Sequence, residues 1–350
     1  MSAEPVEEGA GEVGRRRRKL APSQGTGIGG FLALVTAFTG LQVVWGLARG
    51  ALSVQGLILG PTLLAAVVWL LFGCAQALRA GRVAEGALPL VALFAVLGVL
   101  GSGWLARPMI FPGDAAALPA AGDAAAEVVD YTTDDGVRLR GLLARGQGEG
   151  PRATVVYFHG NAESAVRNRD VAAGLAARGL DVFVAEYRGY GGCPGSPSEA
   201  GLLRDARAAV AAACERTGAA PTDVVLFGRS LGTGVAAALA AEGVGRAVVL
   251  LSPYTSILDL AADLVPRPLA LLAVRDTFDS RARLLGATQP VTVLHGTRDQ
   301  VIPFAHGEAL VAALGPRARL VRLDGYDHND VFARASVIYD ATVAAARAPR

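Results

Sequence analysis

The sequence predicts an α/β domain with a mostly parallel central sheet, helices on both of its faces and a small cap, preceded by about three transmembrane helices. Two observations carry this. From about residue 127 onward, apolar runs of strand length alternate with Ala- and Leu-rich stretches of helix length, the signature of parallel strands joined by helical crossovers. Before that, charge almost disappears: between Thr26 and Ala106 only Arg49, Arg79, Arg82 and Glu85 are charged.

The apolar third comes first in the chain. A bilayer core about 30 Å thick needs roughly 20 apolar helical residues, because backbone polar groups in lipid must bond one another. Three segments meet that length: 27–48, 54–78 within the uncharged run Ala51 to Leu78, and 86–106, the last interrupted by Pro89 and several glycines. Residues 1–25 read as a basic disordered N-terminus, 26–108 as the membrane region and 109–350 as the folded domain. Lys and Arg near span ends stay on the cytoplasmic side. The run Arg15 to Lys19 therefore sets the N-terminus inside, Arg79 and Arg82 fall inside as well, and the domain is extracytoplasmic. Trp45 and Trp104 then lie near the outer interface, where amphipathic rings are favoured. Two alternatives stay open. A basic stretch followed by an apolar run also describes a cleaved signal peptide, and two spans instead of three put the domain in the cytoplasm.

Thirty-three basic against 31 acidic side chains, with no basic stripe interleaved with aromatics, exclude a nucleic-acid partner. Three cysteines, Cys74, Cys193 and Cys214, lack metal-ligand spacing, so no metal or other cofactor is expected; one bridge between Cys193 and Cys214 stays open.

In the domain, Glu127 to Thr132 and Val137 to Leu143 flank the turn signal Asp135-Gly136 and predict an initial hairpin. Further strands are predicted at Ala153 to Phe158, Asp181 to Glu186, Asp223 to Phe227, Ala247 to Leu251, Val291 to Leu294 and Arg319 to Leu323. Helices are predicted at Ala162 to Ala177, Glu199 to Arg216, Leu231 to Glu242, Ala305 to Leu314 and Asp330 to Ala346. The segment 253–290 is too long for a plain crossover and carries an apolar stretch, Leu258 to Val274, so it reads as a cap, with core packing as the alternative.

Gly228-Arg229-Ser230-Leu231-Gly232 fits G-x-S-x-G, a sharp strand-to-helix turn that lifts a serine hydroxyl clear of a sheet. With 44 glycines in the chain the bare pattern is weak. Its position between the apolar run Val224 to Phe227 and a helix former strengthens it. A serine needs a base and an orienting carboxylate, supplied on this fold in the order Ser, acid, His. Asp299 and His328, each in a loop after a predicted strand, complete that order. His159, His295 and His306 are worse placed as bases, and Asp327 and Asp330 are rival acids whose closeness to His328 suits them better to loop or helix capping. Oxyanion donors are expected at the backbone N–H groups of Leu231 and Asn161, the latter in His159-Gly160-Asn161, with an ordinary strand-to-helix turn as the alternative reading of that loop.

Together, Phe158 to Ala162, Tyr187-Arg188-Gly189-Tyr190-Gly191, Pro197-Ser198-Glu199, Gly228 to Gly232, Phe278-Asp279-Ser280, His295 to Asp299 and His328-Asn329-Asp330 resemble one branch of the α/β-hydrolases. It is the branch holding the bud-emergence-like proteins and the abhydrolase-domain acyl-protein thioesterases, and the resemblance runs from about Met109 to the C-terminus. It implies the α/β-hydrolase fold, with Ser230 as nucleophile, Asp299 as acid and His328 as base. The expectation is a membrane-anchored serine hydrolase cleaving esters or thioesters, with a small-molecule or lipid-like acyl substrate and membrane lipids as partners; oligomeric state is open. An amidase or peptidase of the same fold and a catalytically silent membrane interaction protein are the competing readings.

Overall fold

The computed structural model describes residues 106–114, 116–118, 126–148 and 152–348. The three predicted spans lie outside these residues, apart from Ala106 at the edge of the third; among the described residues no helix is long and apolar enough to cross a membrane.

Eight strands form one sheet: β1 (Glu127–Thr132), β2 (Arg138–Ala144), β3 (Thr154–Phe158), β4 (Asp181–Ala185), β5 (Val225–Arg229), β6 (Ala247–Leu251), β7 (Val291–Gly296) and β8 (Ala318–Leu323). Their spatial order is β1-β2-β4-β3-β5-β6-β7-β8. β1 and β2 pair antiparallel, β2 meets β4 antiparallel, and all remaining pairs are parallel. The five strands β3 to β7 are buried at every position, as strands covered on both faces must be. This is why they read in sequence as continuous Val/Leu/Phe runs and not as alternating ones.

Strand alternation divides the core in two. Val156, Phe158, Leu226 and Leu250 point to one face, under α3 (Glu199–Thr217), α4 (Leu231–Ala241) and α8 (Phe304–Leu314). Val155, Tyr157, Phe227 and Val249 point to the other, under α2 (Arg169–Ala176) and α9 (Ala335–Arg347). α3 is capped at both ends, by the Ser198 hydroxyl accepting from Gly201 N–H and by Gly218 in the left-handed conformation.

Three local expectations are adjusted. The hairpin turns over Asp134, Asp135 and Gly136, with Thr133 N–H bonded to Val137 O and Gly136 at φ +83°, a three-residue loop in place of a two-residue turn at Asp135-Gly136. The helix predicted from Ala162 begins only at Arg169, after a 3-10 turn at Val166–Asn168, because Ala162 has φ +39° and Ala165 N–H is drawn off to Glu186. The last helix likewise starts at Ala335 behind a 3-10 turn at Val331–Arg334. Cys193 and Cys214 are both free thiols, so the bridge left open by the sequence is not formed.

Segment 253–290 holds three short helices, α5 (Ile257–Ala262), α6 (Arg267–Ala273) and α7 (Ser280–Gly286). Polar contacts fasten it to the body. Glu199 accepts from Phe278 N–H and bonds Arg283, while Asp276 accepts from Glu199 N–H. The Pro197-Ser198-Glu199 and Phe278-Asp279-Ser280 motifs are thus two halves of one fastening. A short helix, α1 (Arg107–Ile110), opens the described chain.

Candidate active site

The sheet's connectivity reverses between β3 and β5: the chain moves outward from β3 to β4, then returns to the other side of β3. At such a switch point the loops leaving adjacent strands diverge and open a crevice at their carboxyl ends. The loop carrying Asn161 leaves β3 and the turn carrying Ser230 leaves β5, so the sequence-predicted residues meet at this point.

Ser230 has φ +49° and ψ −117°, a conformation that costs a non-glycine residue roughly 1–3 kcal/mol and persists only where the surroundings impose it. They do. Ser230 N–H is held by Leu251 O, and the two flanking glycines allow approaches no side chain would. A Cβ on Gly228 would stand 2.4 Å from Gly232 O, and one on Gly232 would stand 2.1 Å from Phe158 O. The tight turn therefore requires glycine at both positions, on the helix side and on the strand side respectively.

His328 Nε2 lies 3.0 Å from Ser230 Oγ, and its Nδ1 lies 2.8 Å from Asp299 Oδ2. An ionised carboxylate only accepts, so Nδ1 carries the proton and Nε2 presents its lone pair to the serine hydroxyl. All three residues are buried. Burial by itself would raise the Asp299 pKa, but hydrogen bonds from His295, His328 and the Ile302 N–H outweigh it and hold the carboxyl well below the usual range. The rival acids do not reach the imidazole ring. Asp327 Oδ1 accepts from the backbone N–H groups of His328 and Gln300, and Asp330 Oδ1 accepts from Asp327 N–H; both lock loops.

Leu231 is the first residue of α4, and a helix leaves the donors of its first turn without intrahelical partners. Asn161 N–H makes no hydrogen bond to the protein among the described residues, and the neighbouring Gly160 backs onto Ser230, where an added Cβ would stand 3.4 Å from the serine Cβ. Gly160 N–H is occupied by Glu163 Oε2, which leaves Asn161 as the free donor of that turn.

Four supporting residues were not singled out as functional in the sequence. His295 Nε2 donates to Ile302 O at 2.9 Å and lies 3.3 Å from Asp299 Oδ2, the oxygen that His328 also meets. Its i, i+4 spacing to Asp299 was the available signal. Arg229 forms an ion pair with Glu163 and reaches His328 O, with its guanidinium 5.3 Å from the Phe332 ring centroid. Since Glu163 also holds Gly160 N–H, this pair ties the loop after β3, the serine turn and the histidine loop together. Beneath it, Glu186 bonds His159 Nε2 at 2.8 Å and accepts from Ala165 N–H. No spacing rule points to these contacts, which join residues from separate strands.

A family model described as serine aminopeptidase, S33, matches residues 149–281. An uncharacterized protein of Mycobacterium tuberculosis is 37% identical over 250 residues, covering 70% of this chain and 89% of its own length. Alpha/beta hydrolase domain-containing protein 17C of Xenopus tropicalis is 34% identical over 208 residues, 59% of this chain and 66% of its own. The chain belongs to the α/β-hydrolase family. The solved α/β-hydrolase of Vibrio vulnificus shares the fold, with a TM-score of 0.55 at 23% identity over 63% of this chain and 81% of that one. In this hydrolase, as the fold requires, the serine turn follows the strand beside β3 and the acid and histidine follow β7 and β8. Among the described residues no cluster of side chains is suited to hold a metal ion.

Proposed function

We propose that this α/β-hydrolase is a membrane-anchored serine hydrolase that cleaves an ester or thioester through an acyl-enzyme. The observation that carries the reading is the unbroken relay Ser230 Oγ, His328, Asp299, with 3.0 and 2.8 Å contacts on the two nitrogens of one ring. His328 Nε2 takes the hydroxyl proton as Ser230 attacks the carbonyl carbon, and Asp299 holds the tautomer and stabilises the imidazolium. The N–H groups of Leu231 and Asn161 receive the negative charge that develops on the carbonyl oxygen. His328 then returns its proton to the leaving alcohol or thiol, and water, deprotonated by the same ring, releases the acid.

Membrane anchoring rests on the apolar sequence 27–106, and a lipid-like or acylated substrate rests on that anchor together with the apolar cap stretch Leu258 to Val274. A serine-directed fluorophosphonate is expected to label the wild-type chain and to leave Ser230→Ala unlabelled; an unlabelled wild type overturns the reading. The family model's description supports a second reading, an amidase or peptidase acting through the same relay. Paired amide and ester substrates sharing one acyl group separate the two.

A further inference from the structure

Six large apolar side chains are exposed among the described residues: Met109, Leu264, Leu271, Leu272, Leu285 and Val301. Single exposed hydrophobics are ordinary, and Leu285, beside the Leu284 carbonyl that Arg317 holds ahead of β8, is one of them; the other five are not scattered. Leu264, Leu271 and Leu272 lie on or beside the cap helix α6, Val301 follows the acid Asp299, and Met109 lies in α1. None lies on α2, α3, α4, α8 or α9, the helices that cover the two faces of the sheet.

The segment from Arg107 to Asp114 runs across this same end of the molecule. Arg107 Nε donates to Asp276 Oδ2 at 3.0 Å, and the Phe111 ring meets Phe278 edge-on, both in the cap segment. Asp114 accepts from the Ser164 hydroxyl at 2.9 Å and from Arg167, in the loop after β3, and its carbonyl accepts from Gly191 N–H, in the loop after β4. Every anchor of this strap is therefore on the cap or at the carboxyl ends of strands, the end at which Ser230 emerges. The apolar sequence 27–106 joins the domain at the start of this strap, with Trp104 and Arg107, residue types that settle at a bilayer interface, flanking the junction. Leu272 is four residues from Asp276, so its backbone lies within about 14 Å of the residue that Arg107 binds. Within the cap, Asp259 pairs with Arg267, and Asp263 accepts a hydrogen bond from His306 Nε2.

We infer that the cap docks on the surface of a lipid bilayer through Leu264, Leu271 and Leu272, turning the serine end of the sheet toward the membrane in which the chain is anchored. Docking of this kind places the reactive face where a substrate still partitioned into lipid can reach it. The proposal rests on the anchoring stated above, and the test separates the two.

The full chain is reconstituted into phosphatidylcholine vesicles with plain or dibrominated acyl chains, as wild type and as Leu264→Trp, Leu271→Trp and Thr222→Trp. Thr222 is exposed in the turn before β5, at the opposite end of the sheet. Bromine quenches only indoles buried among acyl chains, so the emission that Leu271→Trp and Leu264→Trp add to the wild type is expected to fall at least about twofold in brominated vesicles, as for groups seated 5–10 Å into the interface. That added by Thr222→Trp is expected to be unchanged. Retention of the chain through a carbonate wash, with cap tryptophans no more quenched than Trp at 222, overturns the docking and leaves the anchor standing. Extraction by carbonate overturns the anchor and the docking with it.

Discussion

Asp299 takes hydrogen bonds on both oxygens: Oδ1 from the N–H groups of Val301 and Ile302, Oδ2 from His328, with His295 Nε2 3.3 Å from Oδ2. Asp299→Asn keeps the shape but presents an NH₂ group or a weaker acceptor to Nδ1, so kcat is expected to fall by about 10³–10⁴ while KM changes little. The same carboxyl couples the site to stability. Its pKa is depressed in the folded state, so the unfolded chain binds the proton more readily, and the stabilisation is complete above the unfolded value near 3.9 and drains away as pH falls below it. Urea midpoints measured between pH 5 and pH 3 should drop more steeply for wild type than for Asp299→Asn; equal slopes would remove Asp299 from the acid response. The Arg229–Glu163 pair is mostly buried, so Glu163→Gln strands a buried guanidinium, at a cost of about 3–5 kcal/mol, and frees the Gly160 turn. The double variant Arg229→Met/Glu163→Gln should recover part of that stability without recovering the fluorophosphonate labelling rate. Recovery of both would assign the pair to stability alone.

Elements were legible in the sequence in proportion to how locally their signals act. All eight strands were visible: β3 to β7 because a strand buried on both faces must be an apolar run of five or six residues, and β1, β2 and β8, partly exposed, as shorter apolar stretches beside turn signals. The helix expected from Ala162 starts late, at Arg169, because Glu186, from the end of β4, captures Ala165 N–H and holds the chain in a loop through the first turns. Helix propensity, at a few tenths of a kcal/mol per residue, loses to such a contact. The serine turn is the element with least tolerance. In Gly232→Ala the new methyl meets the Phe158 carbonyl, a backbone atom that cannot swing aside, so stability should fall by about 1–3 kcal/mol or more and labelling of Ser230 should cease as the Leu231 N–H is displaced. Wild-type urea midpoint and labelling in that variant would show that the turn is looser than its geometry.

At the scale of the whole molecule, the central strands are fully buried while the outer part of the cap is not: of the stretch Leu258 to Val274, only Ala270 and Val274 are buried. Polar contacts hold it instead. His306 Nδ1 accepts from Thr255 N–H and its Nε2 donates to Asp263, joining α8 to the segment around α5. Replacing it in His306→Phe leaves Thr255 N–H without an acceptor, a loss of about 1–3 kcal/mol confined to the cap. Limited proteolysis should then cut within 257–273 at a higher rate while the sheet remains intact; an unchanged cleavage rate would show that the cap is held by other contacts.

The succession of the eight strands and of the five helices that cover the sheet, the serine turn and the pairing of Ser230 with Asp299 and His328 were determined by the sequence alone, because each depends on residue type, period and chain order. Only the tertiary structure decided what surrounds them: that His295 backs Asp299, that Arg229 and Glu163 bind three loops together, and that the strap from Arg107 to Asp114 crosses the serine end of the sheet. These contacts join residues tens to more than a hundred positions apart or rest on the geometry of a single turn. Their energy comes from burial and alignment, and neither exists until the sheet has brought the loops together.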